Sequence, residues 1–347
     1  MNLHTPICDL FGIEYPIFAA GMGGVTLAPL AGAVSAAGGL GVLGATFCTP
    51  DQLREEIAAV RRITDRPFGV DLLIPTDIPP DVTARALPAF PEFLQDLLPE
   101  VAGLGGEPPP PLTLELARAQ LEVTLEAKVP LLVSALGTPA WLIEACHRAG
   151  AKVMSMVGNV RQARRLADMG VDAIVAQGLE AGGHVGSVTT MVLVPAVVDA
   201  VKVPVLAAGG IVDGRGIAAS LMLGAQGAWI GTRFIASVEA TAHQNHKQQI
   251  VEADEEGTVV SRSYTGKPSR VLRNRFTERW KGRDQQILPM PWQRIWVEPL
   301  VAPAKAAGRV DLANFPTGQG AGLVRDIPRA ADLFARMLAD AQAALNR

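Results

Sequence analysis

The sequence predicts an α/β protein built as a TIM (β/α)8 barrel, and three observations carry that prediction. Short apolar runs alternate with helical patterns along most of the chain; the runs number eight; and none shows the polar alternation of a strand with one wet face. Runs without alternation fit burial on both faces of a parallel sheet. A strict strand–helix alternation of that count points to closure as a barrel. An open doubly wound sheet shares the alternation and stands as the structural alternative.

The elements follow in order. Residues 16–20 (PIFAA) read as a first strand and 27–37 as a helix with Pro29 in its first turn, where the missing N–H costs nothing. Residues 40–43 form the second strand. Thr49 then caps a helix that has Pro50 at its first position and runs to about Ile63. The third strand is 68–73 (FGVDLL), and 129–134, 152–156, 173–176, 204–207 and 228–230 complete the eight. Helical patterns at 139–149, 160–169, 190–200, 214–223 and about 238–253 separate or follow them.

Two segments fall outside the repeat. Residues from about 75 to 111 hold Pro75, Pro79, Pro80 and the run 108–111; they read as a Pro-rich insertion, with helices near 92–98 and 113–127. The tail is richer in Arg and Trp (Trp280, Trp292, Trp296) and ends in an amphipathic helix over about 328–345. The expected organisation is therefore a barrel over 1–260, insertion included, and a helical extension over 261–347 packed on it.

Composition bounds the function. The 347 residues are 49% hydrophobic and 19% charged, enough apolar surface for a large core. A net charge of −3 gives no electrostatic case for nucleic acid. Mean hydropathy is +0.24, yet no apolar run reaches the ~18 residues of a membrane span. Three scattered cysteines (Cys8, Cys48, Cys146) argue against a disulfide framework or a zinc site. The start lacks signal-peptide features, so a reducing, cytoplasmic setting is the expectation.

In such a barrel the site is built from loops at the carboxyl ends of the strands, and a phosphate is frequently held after strands seven and eight. Those loops are Ala207-Ala208-Gly209-Gly210 and Gly231-Thr232. Each alone is ordinary turn chemistry, but both at the expected pair of positions favour a phosphate-bearing cofactor. The loop after strand six, Gln177-Gly178-Leu179-Glu180-Ala181-Gly182-Gly183-His184-Val185-Gly186, sets an imidazole among glycines at the barrel mouth. Histidine suits proton transfer near neutral pH; the bland reading makes His184 a helix cap or a backbone ligand. His4, His147, His243 and His246 lie in terminal or helical contexts and read as structural. Gln177 is placed to hydrogen-bond a planar heterocycle or a neighbouring strand end. Gly21 and Met22, after strand one, offer a soft-sided surface for a ring. Asp71 is a charged residue buried inside a strand pattern, FGVDLL; burial requires a partner, either a ligand or nearby backbone.

The motifs PIFAAGMGG (16–24), AAGGLGVLGA (36–45), PFGVDLL (67–73), GVDAIVAQGLEAGGHVG (170–186), VPVLAAGGIVDGRG (203–216) and GAQGAWIGTRF (224–234) together resemble the nitronate monooxygenase family, formerly 2-nitropropane dioxygenases. These are FMN-dependent TIM barrels related to FMN-dependent enoyl-acyl-carrier-protein reductases. The resemblance implies that His184 is the catalytic base. It also implies that Gly21, Met22, Gln177, Gly182, Gly183, Gly209, Gly210, Gly231 and Thr232 contact FMN, the last four around its phosphate; Asp71 joins this cofactor set. Gln319 and Gly320 resemble a C-terminal Gly-Gln element that approaches the site in relatives. The chain departs from the family where Asp71 replaces a common Asn. It departs again where Ser155-Met156 stand in place of a Lys, which leaves stabilisation of an anionic ring to helix dipoles or an Arg.

The implied reaction is oxidation of alkyl nitronates or nitroalkanes with O2 to a carbonyl compound and nitrite. The rival reading is an NAD(P)H-dependent FMN reductase or dehydrogenase of enoyl-thioester, enone or quinone substrates; a binding barrel without catalysis is the third. Expected partners are the small-molecule substrate, O2 and a second copy of the chain, with neither nucleic acid nor membrane.

Overall fold

The computed structural model describes residues 3–76, 78, 86–106 and 109–346. Among the described residues eleven strands are formed: β1 (Ile17–Ala19), β2 (Leu40–Gly44), β3 (Gly69–Leu73), β4 (Leu131–Ala135), β5 (Lys152–Val157), β6 (Ala173–Gln177), β7 (Gly183–His184), β8 (Val205–Ala208), β9 (Gly227–Ile230), β10 (Thr258–Ser261) and β11 (Ser269–Leu272). Eight of them close a parallel barrel in the order β1-β2-β3-β4-β5-β6-β8-β9. Closure is made by β1 against β9, with Ile17 beside Ala228, Phe18 beside Trp229 and Ala19 beside Ile230. The open-sheet alternative is thereby excluded, and the ends of the expected strands move by at most two residues.

The absence of polar alternation has a direct cause. Phe18, Val42, Leu131, Val133, Met154, Val175, Leu206 and Trp229 point inward and form one core. Their strand neighbours Ile17, Ala19, Leu43, Val70, Leu132, Val153, Ile174 and Ala207 point outward beneath the helices. Both faces of each strand are dry, as a barrel requires. A short helix, Pro6–Phe11, adds Ile7, Cys8 and Phe11 to the inner core, with Phe11 edge-on to Phe18 at 5.8 Å between centroids.

The helix expected from Thr49 is held by a capping box, Thr49 accepting from the Gln52 N–H while Gln52 accepts from the Thr49 N–H. The long helix expected over 238–253 is shorter, Gln244–Glu252. Upstream of it the Val238 N–H donates to Pro328 O, and the Glu239 carboxylate accepts from Ala330 N. That stretch thus serves the start of the final helix, Ala330–Leu345, which packs on helices Gly214–Met222 and Ala28–Ala36.

The described part of the insertion and the tail share a second core. Leu94, Leu97 and Val101 pack with Tyr264, Phe276, Trp280, Val297, Leu300 and Phe315. Arg279 makes a bidentate pair with Asp96, and the Trp296 indole donates to Pro88 O at 3.0 Å. Pro79, Pro80 and Pro108 of the insertion lie outside the described residues. Helix Trp292–Ala306 was not expected because it contains Pro299 and Pro303; the apolar face Val297, Leu300, Val301, Ala304 buried in this core offsets the lost bonds. Also unexpected was the antiparallel sheet β10-β11-β7, which straddles residue 260 and makes the tail more than helical. Among the described residues no helix is long and apolar enough to cross a membrane.

Candidate active site

At the carboxyl end of the barrel the loop after β6 is fixed from several sides. Its tip, β7, pairs with β11, Ser269 opposite His184 and Arg270 opposite Gly183. The Arg270 guanidinium donates to Leu179 O at 3.0 Å, and Gln319 N–H donates to Glu180 O at 2.8 Å. The Glu180 carboxylate in turn accepts from the backbone N–H and hydroxyl of Thr190, opening the next helix. Gly183 has φ +80°, a left-handed conformation that a side chain would strain.

Gln177 spends its amide on this loop, Nε2 donating to His184 O at 2.6 Å. His184 is half-buried, and its Nε2 lies 2.9 Å from the Thr265 hydroxyl; it caps no helix. Burial, reinforced by the Lys267 and Arg294 cations, pushes its imidazole down to about 4. It is therefore neutral at physiological pH.

The remaining predicted residues line the same mouth. Met22 Sδ would be 3.4 Å from a side chain placed on Gly231. A side chain on Gly21 would collide with Asp71, one of whose oxygens would be 2.9 Å away. Asp71 is only 3% exposed, and its Oδ1 is fully buried without a partner. No described residue gives Oδ1 the backbone partner that the sequence left open. Desolvation holds the carboxyl well above its usual range, which favours its protonated form.

Gly209 and Gly210 have φ +104° and +73°. The Thr232 hydroxyl accepts from the Gly318 N–H at 2.8 Å, which leaves its own proton to donate. Gly318 also abuts Gly182, where an added Cβ would lie 2.8 Å from the Gly318 nitrogen. A side chain on Gly320 would meet the Gly210 carbonyl at 3.4 Å. The tail element thus reaches the loops after β6, β8 and β9. Ser155 is buried and bonded to Thr138 at 2.7 Å, so no cation arises there.

Sequence reasoning missed Thr265, Arg270 and Glu180. Thr265 and Arg270 act through contacts to distant segments and the Glu180 carboxylate through Thr190 at the start of the next helix; only the Ser-Tyr-Thr-Gly-Lys-Pro turn around Thr265 carries even a local signal. The other histidines are structural: His147 meets Asp172 at 2.8 Å, His243 accepts from Asn245 N–H, and His246 stacks on Phe315 and meets Thr317 at 3.0 Å.

His246 gives a stability prediction. Burial lowers it from 6.5 to about 3, so the unfolded chain takes up a proton that the folded one refuses. Stability is full above about pH 6.5 and is lost as pH falls toward 3, by on the order of 5 kcal/mol at the limit. Urea midpoints measured across pH 7 to 4 should fall, and His246→Gln should flatten that slope. An unchanged slope in the variant would exclude His246 as its source.

The family model for nitronate monooxygenase matches residues 4–340. A probable nitronate monooxygenase of Staphylococcus saprophyticus is 33% identical over 100% of both chains. A hydroxy-methyl-oxo-octahydroindene-carboxyl-CoA dehydrogenase of Mycobacterium tuberculosis is 32% identical over 98% of this chain and 97% of its own. The solved nitroalkane oxidase of Streptomyces ansochromogenes superposes with a TM-score of 0.85 at 32% identity, covering 98% of this chain and 99% of that one. Agreement over the full barrel, tail included, places the chain in the nitronate monooxygenase family of oxidoreductases.

Proposed function

We propose that the protein is an FMN-dependent nitronate monooxygenase, oxidising alkyl nitronates and nitroalkanes with O2 to a carbonyl compound and nitrite. The observation that carries the reading is the neutral, half-buried His184 imidazole held at the mouth of a glycine-lined barrel. Two features fit FMN: the orphaned Asp71 Oδ1 deep in the mouth, and a glycine-lined rim in which Gly21, Gly182 and Gly209 have no room for a Cβ. Gly21, Met22, Asp71, Gln177, Gly182 and Gly183 would hold the ring, and Gly209, Gly210, Gly231 and Thr232 the phosphate. When bound, FMN supplies the electron chemistry that links the substrate to O2.

The chain's own part is proton removal and orientation. Thr265 donates its hydroxyl proton to Lys267 O, at 3.2 Å, and so accepts from His184 Nε2–H. That tautomer leaves the Nδ1 lone pair to take the proton α to a nitro group. The Gln177 and Arg270 bonds fix the loop, so the base needs little reorganisation to act.

The carboxyl-CoA dehydrogenase relative favours a second reading: NAD(P)H-linked reduction or dehydrogenation of an enoyl-thioester, enone or quinone. Anaerobic mixing of FMN-loaded protein separates the two. Bleaching of the flavin by propyl-1-nitronate, with no response to NADH or NADPH, is the expected result. Rapid bleaching by a nicotinamide and none by nitronate would overturn the monooxygenase reading.

A further inference from the structure

The helix Trp292–Ala306 begins beside the site, and its first turn is pinned there. Gln293 is fully buried; its Nε2 donates to Ser263 O at 2.5 Å and its Oε1 accepts from Leu288 N–H at 2.9 Å. Ser263 is two residues from Thr265, the partner of His184. A side chain on Gly266, next in sequence, would strike the backbone of 288–290, so this turn and the helix start are tightly joined.

The residue after Gln293 is Arg294. Its guanidinium carbon sits 5.2 Å from the centre of the Phe47 ring. Phe47 in turn presses on the loop after β1, where an added Cβ on Gly23 would meet its ring at 3.1 Å. Arg294 therefore lies between the His184 side of the mouth and the loop assigned to the cofactor ring. Its side chain is 23% exposed, and the nearest carboxylate, Glu298, is 3.8 Å from its Nε, beyond hydrogen-bond range. Its guanidinium makes no hydrogen bond to any described residue. Lys305 Nζ is 5.5 Å from the same Phe47 ring, and the Lys267 cation also acts on His184. Around Phe47 two cations, Arg294 and Lys305, thus meet one carboxylate, Glu298.

A guanidinium stacked on an aromatic face offers a planar fork of donors that matches two oxygens of a planar anion. We propose that Arg294 is the anion-recognition residue of this site, taking the two oxygens of a substrate nitronate beside His184. The inference rests on the proposed reaction for the identity of the anion, and on geometry alone for the anion's shape. It also supplies a cation to a site where Ser155 and Met156 of the fifth strand carry none.

The test uses FMN-loaded wild type, Arg294→Met and Arg294→Lys. Nitrate, a planar anion that does not react, is titrated calorimetrically, and steady-state kinetics are measured with propyl-1-nitronate. Arg294→Met should weaken nitrate binding and raise KM for the nitronate by about 10- to 100-fold at unchanged FMN content. Arg294→Lys, a point charge without the fork, should recover only part of this. A nitronate-active wild type whose Met variant keeps its nitrate affinity would overturn the proposal. A wild type inert toward nitronate, with nitrate binding that still depends on Arg294, would instead overturn the reaction and keep the anion site.

Discussion

His184→Asn should leave FMN bound and lower kcat/KM for a neutral nitroalkane by about 100- to 10,000-fold, the range of a lost general base. The loss on preformed nitronate should be much smaller, because that substrate arrives without the proton. The pH profile of the wild type supplies an independent check. With the imidazole near 4, the base form is present at every pH above that value, so kcat/KM for nitroalkane should be flat from about 6 to 8 and fall only as pH approaches 4. A limb near 6.5 would mean that the ring is not enclosed as the structure has it. Thr265→Val extends the argument to the tautomer. It removes the acceptor at 2.9 Å that keeps the proton on Nε2, frees both tautomers, and should lower kcat for nitroalkane with little change in FMN content. Equal activity of His184→Asn on nitroalkane and nitronate would remove the base assignment.

Why the barrel and its mouth were readable follows from where their determinants lie. A strand buried on both faces writes its burial into consecutive residues, as 173–176 and 204–207 do, and glycines such as Gly209 and Gly210 mark the turns that follow. His184 stood out because its whole context, Gln177 to Gly186, is contiguous. Thr265, Arg270 and Arg294 carry no such mark. Each gains its role from a partner far away in sequence: Thr265 from His184, Arg270 from Leu179, Arg294 from Phe47. The β10-β11-β7 sheet was invisible for the same reason, since a two-residue strand is defined by its pairing and not by its pattern. Helix Trp292–Ala306 was hidden by its prolines, which local rules read as breaks while the shared core of insertion and tail overrides them.

Asp71 carries the second large prediction, because the same buried carboxyl costs stability and offers a ligand two kinds of hydrogen bond. Its folded-state proton affinity is raised by desolvation above the ordinary 3.8. As pH rises past that value the unfolded chain releases a proton that the folded chain keeps, so stability falls with rising pH. Asp71→Asn cannot ionise; it should raise the urea midpoint of the FMN-free protein at pH 7 and remove that part of the pH slope. An amide also keeps one donor and one acceptor toward the mouth, so FMN affinity should change little. Asp71→Leu keeps the branched shape, is bulkier and has no polar atoms. It should stabilise the FMN-free protein as well, yet weaken FMN binding by about 10- to 100-fold, since a polar edge of the ring is then buried unpaired. Quenching of FMN fluorescence on titration reads the affinity directly, without turnover. If the Leu variant bound FMN as tightly as wild type, Asp71 would leave the cofactor set and its orphaned oxygen would be a cost without a ligand; if the Asn variant lost affinity as strongly as the Leu variant, a charged Asp71 rather than a neutral one would be the form that holds the ring.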